Sequence, residues 1–198
     1  EDPVEYVHTQ KKAVIVQQEL HTDVKTFSSA LVHVLRQDPD IICVGEMRDF
    51  ETTSTALMAS ETGHLVIATC HTPSAAQTVE RIVSLFPPHQ QPQAVVQLAN
   101  ALRGIIAQRL VPTTRKLERL LACEVLIAKP AIRHCIRESN FHQLSNIIQT
   151  SRGEGMQSMD EALLNLYETG EITYDTAITN ANDPADMRNR IESHKENR

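Results

Sequence analysis

Asp38-Pro39-Asp40-Ile41-Ile42-Cys43-Val44-Gly45-Glu46-Met47-Arg48-Asp49 is the stretch on which the fold turns. Its apolar residues, Ile41 to Val44, stand between turn-forming residues on both sides, the pattern of a short strand buried on both faces of a parallel sheet. Glu46 then falls just past the carboxyl end of that strand. Open parallel sheets bind ligands at that edge, and nucleotide hydrolases place a carboxylate there near Mg²⁺ and the attacking water. The same residues also suit a strand leaving the core through a charged turn, so the segment alone leaves both readings open.

Outward from this stretch, strand and helix patterns alternate. Upstream, Ala13 to Val16 is a short β-branched run of the strand type, and Phe27, Ala30, Leu31, Val34 and Leu35 recur at the spacing of one helical face. Downstream, Asp49 is placed to cap a helix over about residues 50–62, and Gly63 stands where that helix would stop in the left-handed conformation. Leu65 to Cys70 predicts the next buried strand. Thr72-Pro73 reads as a cap followed by proline in the first turn of a helix whose Ala76, Val79, Ile82, Val83 and Phe86 share a face. After the break at residues 87–92, Ala94 to Leu110 predicts one long helix, followed by a basic loop, Pro112 to Lys116, and the apolar run Leu120 to Ala128. From Pro130 onward the pattern is helical only, over residues 131–138, 141–150, 158–169 and 175–180, with Ser158-Met159-Asp160-Glu161 as a capping box. The expected organisation is an α/β core over residues 1–128, a small helical subdomain over 129–182 and a polar, loosely held tail over 183–198.

Composition narrows the function classes. The 198 residues carry 25 acidic and 19 basic side chains, a formal charge of −6 with the nine histidines neutral. With 41% apolar and 22% charged residues, and no run near the roughly 18 apolar residues of a membrane span, intrinsic disorder and a spanning helix are excluded. Mild acidity argues against nucleic acid as the main partner, because phosphate chains are bound by clustered Lys and Arg. The four cysteines form no Cys-x-x-Cys pair, which argues against a zinc ribbon or a disulfide framework. Cys43, Cys70 and Cys123 lie in apolar runs and are expected to be buried, reduced thiols of a cytoplasmic protein. The chain opens on Glu1-Asp2-Pro3 with neither an initiator Met nor a signal peptide, and reads as cut from a longer one.

Two further segments carry candidate chemistry. Histidines bracket the second strand in Gly63-His64-Leu65-Val66-Ile67-Ala68-Thr69-Cys70-His71-Thr72. His71 shares the edge of Glu46 if the strands are parallel, where an imidazole can donate to a phosphate oxygen. Each histidine taken singly also suits a structural role. Glu1-Asp2-Pro3-Val4-Glu5 is a cluster of carboxylates that by itself is a solvated turn.

In order along the chain, these segments resemble the Asp box, the atypical Walker B motif and the His box of the secretion ATPases that power type II secretion and type IV pili. Ala131-Ile132-Arg133-His134-Cys135-Ile136-Arg137-Glu138 also resembles the Ala-Ile-Arg-Asn-Leu-Ile-Arg-Glu signature of the family's pilus retraction motors, with His134 for Asn and Cys135 for Leu. Assembly-type relatives in type II secretion usually carry a tetracysteine zinc insertion after the segment matching Gln108-Arg109-Leu110-Val111. Here no cysteine pair follows, which implies no zinc and favours the retraction branch. None of the six glycines is followed by lysine, so a phosphate-binding Gly-x-x-x-x-Gly-Lys-[Ser/Thr] loop is absent from these residues. In the family that loop lies upstream of the Asp box. The resemblance therefore implies the carboxyl-terminal part of such a protein, beginning inside the Asp box.

The fold implied is a RecA-like P-loop NTPase core, a partial parallel sheet flanked by helices, followed by a small all-helical subdomain. The function implied is an ATP-hydrolysing hexameric motor for type IV pilus retraction and twitching motility, using Mg²⁺ and ATP. It would sit at the cytoplasmic, inner-membrane base of the pilus machine against a platform protein, with no nucleic acid and no transmembrane segment. By the same resemblance Glu46 is the general base, with Mg²⁺ held through water by Glu46 or Glu1, while Glu1 and Glu5 position metal or water. His71 senses the γ-phosphate and His64 orders the neighbouring strand. Arg48 and Asp49 hold the Walker B turn together, and Arg133, Arg137 and Glu138 serve retraction and not hydrolysis. The 198 residues alone are expected to be inactive. The competing readings are an accessory retraction ATPase, a pilus or type II secretion assembly ATPase, and a non-catalytic binding unit. A DNA-translocating motor is disfavoured by the charge and the lack of a basic, aromatic-studded groove.

Overall fold

The computed structural model describes residues 1–115 and 118–196; Lys116 of the basic loop and the last two residues of the tail lie outside the described residues. Along the chain run α1 (Phe27–Val34), β1 (Ile41–Val44), α2 (Phe50–Glu61), β2 (Leu65–Ala68), α3 (Ala75–Ser84) and α4 (Gln91–Ala101). They are followed by β3 (Gly104–Pro112), β4 (Arg119–Ile127), α5 (Pro130–Arg137), α6 (Leu144–Thr150), α7 (Met159–Glu168), α8 (Tyr174–Asn180) and α9 (Pro184–Glu196). Two compact units result, one of Glu1–His71 with Arg81–Ala101, the other of Thr72–Glu80 with Leu102 onward.

In the first unit β1 and β2 pair in parallel, Ile41 against Leu65 through Val44 against Ala68, which carries the α/β reading. The expectation that these strands are buried on both faces is corrected. Ile42 and Val44 are buried, but Ile41, Leu65 and Ile67 are exposed. The reason is that one face alone meets a core, where Leu31, Ala56 and Ala59 of α1 and α2 pack with Phe27, Val34 and Val66. The run Ala13 to Val16 forms no strand: Val14 is 81% exposed, and β-branched residues form a strand only where a partner strand offers its hydrogen bonds.

Asp49 caps α2 as expected, its Oδ1 accepting the Thr52 N–H at 2.8 Å and its Oδ2 the Thr52 hydroxyl at 3.2 Å. Gly63 closes the helix at φ 103°, a conformation that a side chain would strain. Asp49→Ala is expected to destabilise this unit by about 1 kcal/mol, the usual size of a lost N-cap, read as a lower urea midpoint with an unchanged slope.

In the second unit β3 and β4 form an antiparallel hairpin, Gly104 against Ile127 through Pro112 against Arg119. This corrects the long helix expected over Ala94–Leu110. The helical pattern ends with α4 at Ala101, and from Gly104 the buried residues Ala107 and Val111 sit on one face of a strand instead. Val111 and Ala122 of the hairpin join Met159, Leu163, Ile172, Ala177, Met187 and Ile191 in one core, so α7, α8 and α9 all pack here. Ser158 caps α7 by accepting the Glu161 N–H at 3.2 Å. The cap expected at Thr72 belongs to Ser74, whose carbonyl accepts the Thr78 N–H and whose hydroxyl accepts the Gln77 N–H, and α3 begins at Ala75.

The cysteines follow strand facing and not apolar context. Cys43 is exposed, Cys70 and Cys123 are half-buried, and only Cys135 is buried; none of the four is in a disulfide. Among the described residues no helix is long and apolar enough to cross a membrane.

Candidate functional site

Parallel pairing brings the two strand ends together, and backbone bonds extend the pairing past them. The Met47 N–H donates to Thr69 O at 3.1 Å, and the Thr69 hydroxyl donates to Gly45 O. Glu46 and His71 therefore emerge at one edge, with His71 Nε2 3.4 Å from Glu46 Oε1. The Glu46 side chain is only 17% exposed, whereas His71 is 81% exposed. On the other oxygen, Arg48 Nε donates to Glu46 Oε2 at 2.6 Å, and Arg48 Nη1 lies 3.6 Å from Asp2 Oδ2. Beside this edge, burial pushes the Cys70 thiol up; Arg81 opposes that shift and Glu46 adds to it.

Gly45 lets the acidic amino-terminal segment reach this edge. A Cβ there would stand 3.3 Å from Glu1 Cα, tighter than ordinary contact. Glu1 Oε1 accepts from Gln17 Nε2 at 2.7 Å, and the Leu20 N–H donates to Glu1 O. Glu5 is exposed and carries no hydrogen bond or ion pair among the described residues.

His64 belongs to the opposite end of β2. Its Nδ1 lies 3.1 Å from Ala59 O and 3.1 Å from the Thr62 hydroxyl, so the ring closes the carboxyl end of α2 where β2 begins. With strands rising about 3.3 Å per residue, four residues of β2 separate it from the Glu46 edge by roughly 13 Å.

In the second unit α5 divides the signature residues. Arg133 Nε donates to Ala128 O at 3.0 Å and its Nη2 to Leu102 O at 2.8 Å, tying the helix to the chain on either side of the hairpin. Arg137 and Glu138 are exposed. Sequence reasoning missed Glu124, a carboxylate only 3% exposed, whose Oε1 accepts the Ala75 N–H at 2.7 Å at the start of α3. An acidic residue inside the apolar run Leu120 to Ala128 was the available signal, since a carboxylate is buried only where donors meet it.

Carboxylate oxygens suit Mg²⁺, which keeps several waters and takes one or two carboxylates beside substrate phosphates. Arg48 links the Glu46 and Asp2 carboxylates, and the Glu1 backbone passes Gly45 while its carboxylate is held by Gln17; no group of three metal-binding side chains comes together among the described residues. That donor set fits an ion held mainly by phosphate and water and poorly fits a protein cage.

Against this geometry the similarities to known proteins are specific. The sequence profile described as "Type II/IV secretion system protein" matches residues 1–179. The chain is 44% identical to a "Twitching motility protein" of Neisseria gonorrhoeae, over 94% of this chain and 50% of that protein. It is 45% identical to the "Type IV pilus retractation ATPase PilT" of Pseudomonas aeruginosa, over 93% of this chain and 53% of that protein. The crystal structure of the pilus retraction motor PilT with bound ADP superimposes with a TM-score of 0.87 at 46% identity, covering 96% of this chain and 53% of that one. The chain thus spans about half the length of the curated relatives it matches. The RecA-like α/β fold expected from the motifs is the fold these relatives share.

Proposed function

The chain belongs to the type II/IV secretion system protein family, and on that premise we propose that its residues form the carboxyl-terminal part of an ATP-hydrolysing motor that powers type IV pilus retraction. The observation that carries this reading is the shared edge of Glu46 and His71, a shielded carboxylate beside an exposed imidazole at the carboxyl ends of parallel strands.

In this mechanism Glu46 holds the attacking water through a carboxylate oxygen and takes its proton as the water oxygen bonds to the γ-phosphorus and the bond to the β–γ bridging oxygen breaks, releasing ADP and phosphate. His71 donates a hydrogen bond to a γ-phosphate oxygen and so responds to whether that phosphate is present. Mg²⁺, when bound with ATP, would neutralise phosphate charge, and Glu46 or Glu1 would hold it through water. Glu5 would help Glu1 position metal or water, and Asp2, linked to Glu46 through Arg48, adds negative charge at this edge. The phosphate-binding loop comes from outside these residues, in the part of the relatives' length that they do not span. We further propose a homohexamer at the cytoplasmic, inner-membrane base of the pilus machine, contacting a platform protein through the exposed Arg137 of α5 and Glu138 that follows it, with Arg133 anchoring that helix.

Isothermal calorimetry tests the division of the site. The full-length protein is expected to bind and hydrolyse Mg·ATP, and residues 1–198 alone to show neither detectable heat nor phosphate release. Micromolar binding by the isolated chain would overturn this placement of the phosphate-binding loop.

A further inference from the structure

We propose that Arg48 is a positioning residue for Glu46: it clamps one carboxylate oxygen so that the other is presented at the sheet edge where the water is activated. The inference rests on the reading of Glu46 as the base. Its geometric basis is a charge-assisted bond of 2.6 Å from Arg48 Nε to Glu46 Oε2, together with the 3.6 Å approach of Arg48 Nη1 to Asp2 Oδ2. The guanidinium fork thus spans two carboxylates, one at the end of β1 and one in the amino-terminal segment. Its rigid plane fixes the orientation of the Glu46 carboxylate, which a single flexible ammonium would do less well.

The alternative, that Arg48 merely supports the turn, is weakened by what holds the backbone on both sides of it. Met47 is pinned by its N–H to Thr69 O, and Asp49 is pinned as the cap of α2. Neither bond uses the Arg48 side chain, so the turn has its own anchors and the guanidinium is left with the two carboxylates. Exposed ion pairs usually contribute little, and Arg48 is 61% exposed. Glu46 is not: with 17% of its side chain accessible, water competes poorly for the oxygen that Arg48 holds. The remaining oxygen, Oε1, faces His71 and keeps lone-pair capacity for a water.

Steady-state ATP hydrolysis by the full-length motor tests the clamp. Arg48→Met is expected to lower kcat about ten- to a hundredfold, the scale of a reacting group held loosely, with KM within about twofold and the thermal midpoint unchanged. Arg48→Lys is expected to recover part of that loss, because it restores a cation to Oε2 without the bridge to Asp2. In the Glu46→Gln background the Arg48→Met change is expected to add nothing further. Two results would overturn the clamp: kcat in Arg48→Met within twofold of the parent, or an equal further loss in the Glu46→Gln background, which would mean that Arg48 acts on the nucleotide itself. Full turnover in Glu46→Gln alone would instead sink the assignment of the base, so the two failures are distinguishable.

Discussion

If the chain acts as proposed, Glu46→Gln in the full-length protein is expected to leave ATP binding within about twofold and to slow hydrolysis by about a hundred- to ten-thousandfold, the usual contribution of a positioned general base. The substitution is nearly isosteric. A glutamine can still accept the Arg48 Nε–H through its amide oxygen, so the turn after β1 should survive, anchored as it is by Met47 and Asp49. What is lost is the second oxygen, the one that faces His71 at 3.4 Å, because an amide nitrogen there cannot take a proton from water. Binding should persist because this carboxylate contributes little to holding a tetra-anionic nucleotide. The discriminating measurement pairs phosphate release with calorimetry on one preparation. Turnover near that of the parent protein would remove Glu46 from the chemistry, and a joint loss of binding and turnover would point to a damaged fold.

The site was legible in the sequence where local rules act alone. A four-residue apolar run ending in Gly45-Glu46 suffices to deliver a carboxylate to a sheet edge, and the cap at Asp49 and the left-handed stop at Gly63 are local choices that packing did not override. Parallel pairing then placed His71 beside Glu46, a step that the sequence could state only as a condition. What escaped was non-local. Whether Ile105 to Val111 continues a helix or turns into a strand depends on the partner Leu120 to Leu126, and the register of that pairing is not written in either segment. The facing of Cys43 escaped for the same reason, since an unbroken apolar run does not say which of its faces meets helices. The arginine bridge from Glu46 to Asp2 joins positions 44 residues apart (46 − 2), and no spacing rule reaches that far.

Leu163→Ala is expected to produce the largest loss of stability in the second unit, about 2–5 kcal/mol. Leu163 lies on α7 with no exposed surface, inside the core formed with Val111, Ala122, Met187 and Ile191. That core is drawn from a hairpin and two further helices, so collapse around the missing atoms would require several elements to move together, and much of the cavity should persist. Ion pairs also hold α7 in place: Arg152 and Arg190 both meet Glu161, and Arg190 also meets Asp186 at 2.6 Å. A helix pinned in this way cannot slide to refill the space. Since domains of this size are stable by only about 5–15 kcal/mol, the loss would be a large fraction of the total. Tyrosine fluorescence during urea unfolding reads this unit directly, because Tyr167 and Tyr174 both lie in it with ring centroids 6.3 Å apart, tryptophan is absent, and Tyr6 can be replaced by Phe. Leu121→Ala, on the exposed face of the same hairpin, is the matched control and should shift the midpoint by no more than about 0.5 kcal/mol. Equal effects at the two leucines would mean that the hairpin's outward face, and not the core against α7, carries the stability of this unit.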